Sequence, residues 1–275
     1  MQIGAGDRFV VEGGRRVGGV ITPAGNKNEA LPVLAATLLA PGISRIANLP
    51  RIRDVATQLQ ILGELGAPAL RDPDTTETVV DASNLSARDA SSELARTIRG
   101  SFLLAPGLLH RTGRAVLPRP GGDRIGRRRI DTHLTALRML GAEIETRERH
   151  YYLTLSGRFR GADIFLDEAS VMATENAVMA AAVAEGVSTI ANAACEPHVR
   201  GLCNFLSAMG AQIRGVGTNV LEIEGVRELR PASHRIGPDH IELGSFVAIA
   251  AMTGGELTVN GVVPADLRSA TTAIE

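Results

Sequence analysis

The chain has 275 residues, of which 44% are hydrophobic, with a formal net charge of −1. That length can bury a sizeable core and has room for two domains. A balanced charge and an aromatic content of 3% without Trp argue against a nucleic-acid-binding protein, which needs a cationic footprint or stacking platforms.

The first eight residues lack the apolar h-region of a signal peptide. No run approaches the roughly 18 apolar residues of a membrane-spanning helix. A soluble cytoplasmic protein without membrane insertion is expected. Cys195 and Cys203 match no zinc or redox spacing and read as buried small hydrophobes. The six histidines form no ligand cluster, so neither a metal nor a cofactor is expected.

In chain order, the apolar spacing predicts a helix over 28–39 and a strand over 43–47. A further helix ends at Leu62-Gly-Glu-Leu-Gly-Ala67. A second helix ends at Leu137-Arg-Met-Leu-Gly-Ala142 and is followed by period-two strands over 142–146 and 151–155. A third round reads as helix 174–184, strand 188–191, a helix ending at Leu206-Ser-Ala-Met-Gly-Ala211, and strands over 211–214 and 219–223. A fourth begins with helix 241–252 and strand 256–260, then a helix from Asp266 to the last residue.

Gly66, Gly141 and Gly210 recur roughly 70 residues apart, each where a helix C-terminus favours a left-handed residue. The repeat is therefore a leading strand, helix, strand, helix and strand pair, large enough to make a small α/β layer by itself. The fourth copy stops inside a helix, so the chain is expected to be a truncated form. The remainder of the C-terminal half would then be its partner.

Glycines and prolines mark a loop in Leu117-Pro-Arg-Pro-Gly-Gly-Asp-Arg-Ile-Gly-Arg-Arg-Arg-Ile-Asp-Thr-His133. Arg124, Arg127, Arg128 and Arg129 surround Asp123. Guanidinium forks suit phosphate and carboxylate oxygens, and a carboxyl kept protonated can serve as a positioned acid. Taken alone, the loop also fits a solvated basic turn or a nucleic-acid patch. Arg111, just upstream, reads as a solvated charge.

Three motifs in order carry a resemblance: Gly25-Asn-Lys-Asn-Glu-Ala-Leu-Pro32, Gly121-Gly-Asp-Arg-Ile-Gly-Arg-Arg-Arg-Ile-Asp131 and Ser170-Val-Met-Ala-Thr-Glu-Asn176. Together with the repeat, they resemble the UDP-N-acetylglucosamine 1-carboxyvinyltransferase family of enolpyruvyl transferases. The resemblance implies an inside-out α/β barrel fold built from such repeats, with two domains of three repeats each. Residues 28–237 would form one complete domain, and 1–27 with 238–275 part of the other.

It implies transfer of the enolpyruvyl group from phosphoenolpyruvate to the 3′-hydroxyl of UDP-N-acetylglucosamine, the first committed step of peptidoglycan synthesis. By resemblance, the catalytic residues are Asp123, Lys27 and Arg128. Lys27 and Asn28 would contact phosphoenolpyruvate, and Arg99 and Arg128 belong to the substrate site. Arg128, Arg129, Ile130, Asp131 and Thr132, with Glu168, Ala169, Ser170 and Val171, would hold the nucleotide.

Asp123 stands where most of the family carries a reactive cysteine, a variant known in the family. Arg129 replaces a customary proline, Glu168 a common lysine and Met172 a common glycine, which leaves a different nucleotide or sugar acceptor open. The shikimate-pathway relatives fit less well, since they usually carry Ser-Lys-Ser where this chain has Asn26-Lys27-Asn28. A non-catalytic nucleotide-sugar-binding protein is the remaining alternative. The family's catalytic base and several of its arginines would lie in the other half.

Overall fold

The computed structural model describes residues 8, 10–72, 77–86, 90, 93–121 and 129–267. Contacts divide the chain into two compact units, residues 25–237, and residues 1–24 with 238–275. Strand β1 (Gly18–Ile21) belongs to the smaller unit. The larger unit opens with α1 (Lys27–Ala36), β2 (Ile43–Ala47), α2 (Arg53–Glu64), β3 (Ala69–Arg71) and β4 (Thr78–Asp81). Its second repeat contains α3 (Glu93–Thr97), a 3-10 stretch Arg99–Leu104 running into α4 (Ala105–Thr112), β5 (Arg114–Pro118), α5 (Asp131–Met139), β6 (Glu143–Arg147) and β7 (His150–Thr154). The third contains β8 (Asp163–Phe165), α6 (Val171–Ala181), β9 (Val187–Ala191), α7 (Pro197–Ala208), β10 (Gln212–Arg214) and β11 (Val220–Glu224), then β12 (Ser233–Arg235). The smaller unit resumes with α8 (His240–Thr253), β13 (Glu256–Val259) and a 3-10 turn Pro264–Leu267. The helix expected from Asp266 onward otherwise lies outside the described residues.

A helix that is apolar on every side has no face to offer water and must be enclosed. Helix α1 is buried from Glu29 to Ala36, and α6 from Ala173 to Ala181. They pack together with α4 at the centre of the larger unit. The sheets lie outside them, and most of their strands alternate buried and wetter positions, although β5 is buried from Ala115 to Pro118. In β9, Ser188 and Ile190 are buried while Val187 is exposed; in β11, Leu221 and Ile223 are buried between exposed neighbours. Helices within and sheets without make the inside-out α/β barrel.

The sheets repeat one topology. Their orders are β12-β2-β4-β3, β5-β7-β6 and β10-β11-β9-β8. In the first and third, a leading strand runs parallel to the strand after the central helix, and an antiparallel hairpin returns beside it. Strand β1, parallel to β13 with α8 between them in sequence, repeats the opening step. The recurring glycines cap their helices identically. Gly66, Gly141 and Gly210 have φ of 88°, 101° and 110°. The amides of Ala67, Ala142 and Ala211 donate back to the carbonyls of Leu62, Leu137 and Leu206. That is the six-to-one bond of a Schellman cap.

Two side chains depart from the sequence reading. Cys195 is exposed, because in the turn before α7 the buried positions are taken by Ala193 and Ala194; only Cys203 is buried. Burial, and then the neighbouring Glu175, push the Cys203 thiol up to about 12, so it is inert. Arg111 is not a solvated charge. Its guanidinium donates to the carbonyls of Leu38 and Ala82, tying α4 to the first repeat, and desolvation lowers its pKa.

Candidate functional site

The site begins at helix N-termini. Asn26 caps α1, its side-chain oxygen accepting from the amides of Asn28 and Glu29. This places Lys27 and Asn28 in the first turn, on the wall of a cavity of about 360 Å³. Arg53 and Asp54, at the start of α2, and Thr97 to Gly100 complete much of that wall. The Lys27 Nζ lies 3.1 Å from an Asp54 carboxylate oxygen, with both side chains about 40% exposed. An ion pair that wet is worth about 1 kcal/mol or less, so an anion can compete for the ammonium.

A second cavity of about 300 Å³ shares Arg99 and Met172 with the first. Its other walls are Arg129 and the segment Glu168 to Val171. Ser170 caps α6, accepting from the amide of Ala173. The Arg99 guanidinium donates to the backbone carbonyl of Arg129 at 2.7 Å, which links the two cavities' walls. Arg129 itself reaches two acids: its Nε donates to Asp131 at 3.0 Å and its Nη2 to Asp167 at 3.2 Å. These carboxylates, the Asp131 hydrogen bond first, raise the Arg129 pKa further. Thr132 is buried, and its hydroxyl donates to Asp167 at 2.6 Å. That hydrogen bond, and then the charge of Arg129, lower the Asp167 pKa.

The structure therefore gathers Lys27, Asn28, Arg99, Arg129, Glu168, Ala169, Ser170 and Val171 around two adjoining cavities. Ile130 is buried at the cap position of α5, and Asp131 and Thr132 occupy its first turn. Asp123 and Arg128, with Arg124 and Arg127, lie outside the described residues. The segment before them leaves β5 under tight constraint: a Cβ on Gly121 would sit 1.8 Å from the Arg96 carbonyl oxygen, so only glycine fits there. Arg53, Asp54 and Asp167 escaped the sequence reading. A comparison of the repeats could have found Asp54, which lies in the first turn of α2 as Asp131 lies in that of α5. Asp167 carries no comparable signal. Among the described residues no group of acids, histidines or cysteines could hold a metal ion. Among them, too, no helix is long and apolar enough to cross a membrane.

A family model described as EPSP synthase (3-phosphoshikimate 1-carboxyvinyltransferase) matches residues 11–275. The chain is 48% identical over 260 residues to the UDP-N-acetylglucosamine 1-carboxyvinyltransferase of Treponema denticola, covering 94% of this chain and 60% of that protein. The Bradyrhizobium diazoefficiens protein of the same name is 48% identical over 252 residues, covering 92% and 58%. Among solved structures, the enolpyruvyl transferase NikO from Streptomyces tendae superposes with a TM-score of 0.74 at 27% identity, covering 86% of this chain and 55% of that one. An EPSP synthase from Acinetobacter baumannii, at 21% identity, shares the fold with a TM-score of 0.71 over 91% of this chain and 57% of its own. The chain spans about 60% of the length of the curated relatives it matches. With a family match over nearly its whole length, and motifs that converge on two adjoining cavities, the chain belongs to the EPSP synthase family, where its similar sequences are the UDP-N-acetylglucosamine 1-carboxyvinyltransferases.

Proposed function

We propose that this chain supplies the Lys-Asn and nucleotide-holding part of an enolpyruvyl transferase that uses phosphoenolpyruvate and UDP-N-acetylglucosamine in a cytoplasmic step of peptidoglycan synthesis. The observation that carries this reading is the meeting of three sequence-distant motifs around two cavities that share Arg99. In it, Lys27, Asn28 and Arg99 receive the phosphate and carboxylate of phosphoenolpyruvate in the first cavity. The second cavity, lined by Arg129 and by Glu168 to Val171, holds the nucleotide, with Ile130, Asp131 and Thr132 following Arg129 into α5. The new bond joins the acceptor's 3′-oxygen to the substituted carbon of phosphoenolpyruvate, and the bond from that carbon to the phosphate oxygen breaks.

Charge develops on the departing phosphate, where the cationic side chains of Lys27 and Arg128 are assigned to stabilise it. Asp123 is the acid assigned to the methylene carbon; the acceptor hydroxyl's proton passes to the base that the resemblance puts in the other half, and the methyl group so formed gives up a proton as phosphate leaves, restoring the double bond. The arginine neighbours of Asp123 favour the carboxylate, so exclusion of water must restore the neutral form. The second reading keeps this chemistry with another nucleotide or sugar acceptor. It is favoured by Arg129, whose ion pairs to Asp131 and Asp167 put charge on the wall of the second cavity.

Calorimetric titration of the chain tests the reading. UDP-N-acetylglucosamine is expected to bind. Phosphoenolpyruvate should bind more weakly to Lys27→Ala than to the unaltered chain. Absence of sugar-nucleotide binding at millimolar ligand overturns the acceptor assignment. Lys27→Ala binding phosphoenolpyruvate as well as the unaltered chain overturns the role of Lys27.

A further inference from the structure

We infer that Asp167 is a positioning residue of the second cavity, acting through the Thr132 hydroxyl to hold the opening turns of α5 and α6 in register; its bearing on the acceptor rests on the function proposed above. Asp167 lines neither cavity. It stands immediately before the wall segment Glu168 to Val171, and it grips the other wall twice. One carboxylate oxygen accepts from Thr132 at 2.6 Å and the other from Arg129 at 3.2 Å. Arg129 in turn is held at its Nε by Asp131 and at its carbonyl by Arg99. One carboxylate thus couples the start of α5, the start of α6 and the arginine common to both cavities.

The two grips differ in strength. The Arg129 and Asp167 side chains are 51% and 53% exposed, and ion pairs so wet contribute little. Thr132 is 3% exposed, and its hydroxyl donates to a charged acceptor, the stronger class of hydrogen bond. The sequence pattern permits the same conclusion. Asp131 and Thr132 are the first two residues of α5, and Ser170 caps α6 only three positions after Asp167. A displacement at Asp167 therefore moves the cap of α6 and every residue of the wall between them.

The deciding variants are Thr132→Val, which keeps the shape and removes the donor, and Thr132→Ser, which keeps the donor. Amide hydrogen exchange in the whole chain reads the brace without any ligand. Thr132→Val and Asp167→Asn are expected to speed exchange over residues 129–132 and 168–171 by about tenfold, and Thr132→Ser to leave it near the unaltered rate. In parallel, the dissociation constant for UDP-N-acetylglucosamine should rise about tenfold in Thr132→Val and recover in Thr132→Ser. Unchanged exchange in Thr132→Val overturns the inference, as does Thr132→Ser failing as badly as Thr132→Val. If exchange responds as expected while the unaltered chain binds no sugar nucleotide, the brace stands and the acceptor assignment falls.

Discussion

His133 and Glu175 are buried in the larger unit with opposite consequences for pH. The His133 Nδ1 lies 2.9 Å from the Asn176 amide nitrogen, whose N–H donates to it in the neutral tautomer carrying its proton on Nε2. That Nε2 is buried without a hydrogen-bond partner among the described residues. Desolvation, and then the charge of Arg99, lower the His133 pKa from 6.5 to about 3. Below pH 6.5 the unfolded chain takes up a proton that the folded chain refuses, so His133 makes stability fall as pH falls from 6.5 toward 3. The limiting slope is about 1.4 kcal/mol per pH unit. Glu175 is held neutral by burial first and by Glu196 second, its pKa well above 4.5. Here the unfolded chain loses its proton first, and stability falls as pH rises above 4.5. Thermal unfolding of single variants separates the two. His133→Phe should flatten the acid side of the profile, and Glu175→Gln should raise Tm toward neutral pH. A Glu175→Gln protein with an unaltered neutral-side profile would contradict the burial of an uncharged acid.

At the scale of elements, the contact of α7 with α1 depends on a missing side chain. A Cβ on Gly201 would lie 2.2 Å from the Glu29 carboxyl carbon. Glu29 cannot withdraw freely, because it accepts from His234 and from the Gly237 amide. Gly201→Ala gains about 1 kcal/mol of helix propensity but meets an overpacking cost of roughly 1–3 kcal/mol. A net loss of about 1 kcal/mol is expected in urea unfolding. Gly63, exposed in α2, has nothing within 4 Å of its added Cβ. Gly63→Ala should therefore stabilise by about 0.5–1 kcal/mol. Equal effects from both substitutions would mean the α1–α7 approach is looser than the structure shows. The elements themselves were legible where pattern and cap agreed, as in α6, β6, β7, β9 and β11. The second repeat's first helix was not, because Pro106 and Gly107 sit in its opening turn and a 3-10 stretch precedes it.

For the molecule as a whole, the first sheet of the larger unit is finished by a strand from its far end. β12 runs parallel to β2, pairing Ser233 with Arg45. It carries His234, whose Nε2 lies 2.8 Å from Glu29, with side-chain exposures of 14% and 6%. Removing one member of so buried a pair leaves the carboxylate with the Gly237 amide as its remaining donor among the described residues. His234→Leu should cost about 3 kcal/mol in chemical denaturation. Adding Glu29→Leu should recover most of that loss, since an apolar pair leaves no orphaned charge. A double variant no better than His234→Leu would show that the strand, rather than the pair, carries the stability.

The sequence by itself determined the roughly 70-residue repeat, its glycine caps and its hairpins, because capping and period-two alternation are local and act within one element. Its residue types singled out the basic loop, and the family resemblance added Lys27, Asn28 and Arg99 as expected site residues. Only the tertiary structure decided that β12 closes the first sheet, that Cys195 faces solvent and Arg111 does not, and that Asp54 and Asp167 belong to the walls and supports of the site. Each of those depends on groups far apart in the chain meeting at hydrogen-bond distance. No local periodicity encodes such meetings, because they arise from the packing of whole repeats around the central helices.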